Sequence, residues 1–281
     1  MYFPIFGVEI LIYDDILLRN YMKKIKVLIL RTAGTNCDYE TQFAFELCGA
    51  IAERIHINLL IENRNKIFDY NILALPGGFS YGDDIASGKI LANELKYKLG
   101  DKIKKFALNG NPIIGICNGF QVLSKMGLLP NPKILKQSFT LTYNDSGKFE
   151  CRWVYLKKEK VKNCCIWVRN IPNLISLPVA HSEGKFIPIN NKLIDILTKK
   201  NQIVFRYSTK NGNVALSYPL SPNGSVGQIA GLCNDNGNVF GLMPHPERYI
   251  FALQHPAKAK INNDEYGWGK LIFQNAVDFM K

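Results

Sequence analysis

Cys117 stands in Gly115-Ile116-Cys117-Asn118-Gly119, directly after the apolar run Pro112-Ile113-Ile114. That spacing suits a nucleophile on a sharp strand-to-helix turn, where the strained, crowded backbone leaves room only for glycine on either side. Gln121 to Met126 continues as a helix whose N-terminus faces the sulfur, and its dipole favours thiolate, the reactive form. A tight turn around a small buried residue would give the same pattern, so the chemistry also needs a base. Pro244-His245-Pro246-Glu247 supplies a candidate. Proline pushes the residue before it out of the α region, so His245 is expected to be extended, and in an extended segment residues two apart face the same side. Glu247 would then hold the imidazole of His245, giving a couple of Cys117, His245 and Glu247 in which the base takes the thiol proton and the carboxylate fixes the tautomer. A histidine in a surface turn would look similar. His56, with an apolar neighbour on each side, and His255, in a Gln-His-Pro turn, read as structural.

A third element follows the apolar run Asn71 to Leu75, which leads into Pro76-Gly77-Gly78-Phe79-Ser80-Tyr81-Gly82-Asp83-Asp84. Paired glycines after a strand let backbone N–H groups turn toward a ligand, as in an oxyanion hole, where a lost donor typically costs about 2.7–4 kcal/mol of barrier. One donor would come from Gly78 and one from Asn118; a plain strand-to-helix loop is the other reading.

These segments must be held by one fold. Strands are expected at Ile25–Leu30, Ile51–Ile57, Ile72–Leu75 and Pro112–Ile116, alternating with helices at Tyr39–Gly49 and Ile85–Leu99. The second half carries shorter β-like runs at Phe149–Leu156, Ile203–Tyr207 and Val239–Met243, then a closing helix from about Gly267 to Met280. The alternation predicts an α/β domain with a mostly parallel central sheet flanked by helices, and an elbow at the C-terminal edge of a strand is where open α/β sheets bind ligands. With 281 residues and 47% of them hydrophobic, the chain can bury one substantial core.

Five segments together carry a resemblance that runs in order from about Lys23 to the C-terminus: Arg31-Thr32-Ala33-Gly34-Thr35-Asn36-Cys37-Asp38, the loop from Pro76 to Asp84, Gly115 to Gln121, Ala180-His181-Ser182-Glu183-Gly184-Lys185, and Met243-Pro244-His245-Pro246-Glu247-Arg248. In these the chain resembles the PurQ family, the glutaminase subunits of phosphoribosylformylglycinamidine synthase within the class I (triad) glutamine amidotransferases. Two departures stand out. Thr32-Ala33 replaces the family's usual Phe-Pro, and Ser182 and Lys185 stand where glycine and arginine are usual. Lysine for arginine matters wherever a guanidinium makes a bidentate contact.

The resemblance implies that Cys117 attacks the side-chain amide of glutamine with His245 as base, that Gly78 and Asn118 form the oxyanion hole, and that Gln121 contacts the substrate. His181 and Glu183 fall in a family motif without an evident role. Ammonia would pass to a PurL-type synthetase subunit, which uses ATP and magnesium to convert formylglycinamide ribonucleotide to formylglycinamidine ribonucleotide in purine biosynthesis; a small PurS-type subunit is also implied. The chain itself shows no phosphate loop and no acidic cluster at metal spacing, so no metal or cofactor is expected in it. A glutaminase serving another amidotransferase pathway, or a non-catalytic scaffold of the same fold, would share most of these residues.

Net charge is +12, but the lysines are scattered in pairs such as Lys104-Lys105 and Lys199-Lys200, without a basic stripe interleaved with aromatics, so nucleic-acid binding is not expected. Seven cysteines, including adjacent Cys164-Cys165 and no Cys-x-x-Cys, argue for a reducing cytoplasm. Residues 1–22 carry Glu9, Asp14 and Asp15 and lack an apolar run of membrane length, so they are read as an extension, or an early start, ahead of a domain at 23–281.

Overall fold

The computed structural model describes residues 24–159, 165–257 and 265–281; the expected extension at 1–22 and Cys164 of the cysteine pair lie outside these. The first half alternates β1 (Lys26–Arg31), α1 (Asp38–Leu47), β2 (Ile51–His56), α2 (Ile57–Glu62), β3 (Ile72–Leu75), α3 (Lys89–Glu94), α4 (Gly100–Leu108), β4 (Ile113–Ile116) and α5 (Asn118–Met126). A π-helical turn at Leu95–Leu99 joins α3 to α4. The second half runs β5 (Phe139–Thr142), β6 (Glu150–Lys158), β7 (Leu174–His181), β8 (Lys185–Pro188), α6 (Lys192–Lys199), β9 (Ile203–Ser208), β10 (Ile229–Cys233), β11 (Val239–Leu242) and α7 (Trp268–Met280).

Nine strands form one sheet in the order β2-β1-β3-β4-β11-β10-β9-β6-β7, and β5 pairs with β8 in a separate ribbon. The first five strands of that order are parallel neighbours. The remaining pairings are antiparallel, so β9 and β7 again run with the parallel set, and seven of the nine strands share one direction. Burial explains the sequence pattern: every residue of β3, β4 and β11 is buried, as expected for strands covered on both faces. Phe45 of α1 meets Phe273 of α7 edge to face at 4.9 Å, and burying each such ring contributes roughly 1.5–3 kcal/mol.

The loops that matter leave one end of adjacent strands. Leu75 lies opposite Gly115 and Leu242 opposite Ile116, so the segments after β3, β4 and β11 emerge side by side. The segment after β1 joins them through a bridge between Thr35 and Gly78. Chain order also reverses there, with β2 to one side of β1 and β3 to the other, so these loops open beside the sheet's switch point.

One expected element is corrected. The helix anticipated at Ile85–Leu99 begins only at Lys89, because residues 80–88 form a folded loop fastened by Asp83, whose Oδ1 accepts the N–H of Gly88 at 2.9 Å. Tyr81, Gly82 and Asp83 all have positive φ, which no helix accommodates.

Candidate active site

Cys117 is the single residue between β4 and α5, with φ 50° and ψ −104°. Its N–H still belongs to the sheet, donating to Leu242 O at 2.8 Å, while its carbonyl already accepts from Phe120 and Gln121 N–H at 3.0 and 3.1 Å in the first turn of α5. One residue must satisfy both elements, and the strained conformation is the consequence. The flanking glycines are required by close approach. A Cβ on Gly119 would lie 1.9 Å from Leu75 O, and one on Gly115 would lie 2.5 Å from Gly119 O.

His245 is extended, at φ −102° and ψ 91°, between its two prolines. Its Nδ1–H donates to Glu247 Oε1 at 2.6 Å, and both side chains are almost fully buried. With Nδ1 so held, Nε2 makes no hydrogen bond with the described residues, and it is the nitrogen that bears the lone pair whenever the ring is neutral. Burial pushes the imidazole toward the neutral form, but the Glu247 carboxylate and the neighbouring Cys117 sulfur outweigh it and hold its pKa well above the ordinary value. The backbone N–H of His245 donates to Pro178 O at 2.8 Å, and the Cys117 thiol lies 3.7 Å from Ala180 O. Strand β7, last in the sheet, therefore curls back over both residues.

The loop after β3 completes this side. Gly78 has φ 135°, and a Cβ there would lie 2.7 Å from both Asn36 N and Gly34 O; a Cβ on Gly77 would lie 2.8 Å from His245 Cε1. Phe79 N–H donates to Gly34 O at 2.9 Å and Tyr81 N–H to Ala33 O at 2.8 Å, so the segment after β1 fastens the loop through its main chain. Alanine at 33, where the family has proline, leaves that carbonyl in place. Among the described residues, the N–H groups of Gly78 and Asn118 have no acceptor. The Asn118 side chain is fully engaged: Oδ1 accepts from Ser80 Oγ at 2.6 Å, and Nδ2 donates to Asp83 Oδ1 and Gln121 Oε1, both at 3.0 Å.

Gln121 donates from Nε2 to Glu183 O at 2.6 Å, which ties α5 to the turn between β7 and β8. The Glu183 carboxylate accepts Ser87 N–H at 3.3 and 3.4 Å, and buried Lys125 donates to Ser87 O at 2.6 Å. Burial lowers the Lys125 pKa, opposed by Glu183 and Asp83. Lys185 pairs with Asp145, and Ser182 takes part through its carbonyl, which accepts Asn144 N–H at 2.8 Å. His56 Nδ1 accepts Asn58 N–H at the start of α2, and His255 bonds Ser176 Oγ; both are structural contacts.

The family model for the CobB/CobQ-like glutamine amidotransferase domain matches residues 24–280. The PurQ subunit of phosphoribosylformylglycinamidine synthase from Dehalococcoides mccartyi is 46% identical over 92% of this chain and 99% of its own length; that from Archaeoglobus fulgidus is 43% identical over 92% and 98%. The chain belongs to the PurQ family of glutamine amidotransferases. The solved structure of PurLQS from Thermotoga maritima superimposes with a TM-score of 0.69 at 33% identity, covering 92% of this chain and 100% of the matched one. The glutaminase domain of Trypanosoma brucei CTPS, 12% identical over 91% of this chain and 94% of its own, shares the fold at a TM-score of 0.52.

Within this family framework, the sequence reading did not single out Cys37. Its thiol donates to Asn36 Oδ1 at 3.2 Å and accepts from Arg248 Nη2 at 3.2 Å. Burial raises its pKa, and the neighbouring His245 opposes the rise. Ligand atoms of Cys37, His245 and Glu247 lie within 4.8 Å of one another. A zinc ion with bonds of about 2.0–2.1 Å at a tetrahedral angle would hold its nitrogen and oxygen ligands about 3.3 Å apart. The 2.6 Å Nδ1–Oε1 contact is that of a hydrogen bond, and the Arg248 cation beside the sulfur opposes a second cation. Cys37 sits two residues past Thr35, and the pairing of Thr35 with Gly78, together with its own N–H donating to Gly77 O at 3.3 Å, brings it to the imidazole.

Proposed function

We propose that Cys117 attacks the side-chain amide carbon of L-glutamine. His245 takes the thiol proton at Nε2 and returns it to the departing nitrogen, so ammonia leaves and a glutamyl thioester remains on Cys117. Water then hydrolyses the thioester, its proton passing to His245, and glutamate is released. Glu247 fixes the Nδ1–H tautomer and balances the imidazolium. The N–H groups of Gly78 and Asn118 receive the oxyanion, and Gln121 lines the glutamine site from α5. The observation that carries this reading is the bare Nε2 of a histidine locked at Nδ1 by a buried carboxylate, beside a thiol on a strained elbow.

The ammonia serves a PurL-type synthetase that converts formylglycinamide ribonucleotide to formylglycinamidine ribonucleotide in purine biosynthesis, with a PurS-type subunit completing the assembly. The names of the relatives and the match to the Thermotoga PurLQS structure support this. ATP and magnesium belong to the synthetase, and the assembly works in the cytoplasm. Among the described residues no helix is long and apolar enough to cross a membrane. Residues 23–281 form the catalytic domain and 1–22 an extension ahead of it, in keeping with a family match that begins at 24. Acid quenching during glutamine turnover, followed by peptide mass spectrometry, tests the chemistry: a glutamyl adduct on Cys117 is expected, and an adduct on another residue would contradict it.

A further inference from the structure

His181 ends β7, one residue past the carbonyl that faces the Cys117 thiol, and its side chain is buried. Its tautomer is settled by its neighbours. Asn144 Nδ2 donates to the carbonyls of Lys148 at 2.9 Å and His181 at 2.8 Å, which leaves Oδ1 as the acceptor on its other side. That oxygen accepts the N–H of Gly184 at 3.0 Å and lies 3.1 Å from His181 Nδ1, so Nδ1 must carry the proton and donate. Nε2 is then a bare lone pair, and it makes no hydrogen bond with the described residues. The ring is seated against Gly184, where any Cβ would fall 2.3–2.7 Å from ring atoms. Burial first, and then the charge of nearby His245, push its pKa down to about 3. A buried acceptor without a partner, held neutral, thus lies one residue from the carbonyl that faces the Cys117 thiol and within the electrostatic reach of His245.

We propose that His181 Nε2 accepts an N–H of the glutamine side-chain amide and then of the ammonia formed from it, making His181 a further catalytic residue of the reaction. The inference rests on the glutaminase reading given above. No proton moves to His181: His245 supplies the proton that makes the leaving nitrogen ammonia, the C–N electron pair stays on that nitrogen, and His181 only receives a hydrogen bond. An acceptor this weak in basicity orients the departing amine without competing for its proton, and having no proton on Nε2 it cannot convert ammonia to ammonium.

The test compares two substrates that form the same thioester. L-Glutamine has amide hydrogens to donate, whereas L-glutamic acid γ-methyl ester has none on its leaving oxygen. In complex with the synthetase, His181→Phe should lower kcat/KM for glutamine by about tenfold or more while changing the ester by less than about threefold, the scale of one lost hydrogen bond to a reacting group. His181→Gln, which can present an acceptor near the Nε2 position, should recover part of the glutamine rate and also serves if the phenylalanine variant does not fold. Equal losses on both substrates, or no loss on glutamine, would overturn the proposal. Ester turnover that requires Cys117 in the parent chain checks the glutaminase reading separately.

Discussion

The carbonyl of Pro178, on the last strand of the sheet, accepts the backbone N–H of His245 at 2.8 Å. Strands β10, β9 and β6 stand between β7 and β11 in the sheet order, yet the curl of the sheet closes that distance. Proline is tolerated there because β7 is an edge strand with no further neighbour to receive an N–H. The base is thus fixed from two sides, by Pro178 through its main chain and by Glu247 through its ring.

Replacing Glu247 by glutamine should reduce glutaminase kcat by about 10²–10⁴, because the amide no longer balances the imidazolium. The same variant has a signature in stability. The His245 pKa is raised in the folded chain, so its contribution is present in full below the ordinary value and is lost as pH rises through the raised one. The stability gap between parent and Glu247→Gln should therefore be widest in mild acid and shrink toward alkaline pH, as urea unfolding at several pH values would record.

His181 gives the opposite sign. Its folded pKa is about 3, below the ordinary histidine value, so the unfolded chain takes up a proton that the folded one refuses. Stability should fall as pH drops below about 6.5, by up to about 1.4 kcal/mol per unit from this group. His181→Gln should unfold with a shallower pH dependence between neutrality and pH 5; an identical slope would show that His181 is not held neutral.

Gly119→Ala tests the elbow's packing. Its Cβ would meet the Leu75 carbonyl at 1.9 Å, a main-chain atom that cannot rotate away, so a loss of about 3 kcal/mol or more is expected in chemical unfolding. Alanine is a better helix former than glycine, so an unchanged midpoint would mean that α5 and β3 do not pack this closely.

The elbow and the His-x-Glu pair were legible in the sequence because each is local: flanking glycines and prolines declare the backbone that positions Cys117 and His245. The buried parallel strands were legible as unbroken apolar runs. Strand β7 was not, since Pro178 argues against a strand unless its edge position is known. Residues 85–88 read as a helix start because Asp83 finds its partners, Gly88 and Asn118, only after folding. Cys37 and the Asn144–His181 contact were hidden for the same reason, each pairing residues brought together by tertiary structure alone.

The most direct test is glutamate release from L-glutamine by the purified chain, alone and with a PurL-type synthetase, ATP, magnesium and formylglycinamide ribonucleotide. Release that depends on Cys117, rises with the synthetase and disappears in Cys117→Ala is the predicted result. Glutamate formed equally well by Cys117→Ala, or none from the parent chain under any of these conditions, would contradict the account.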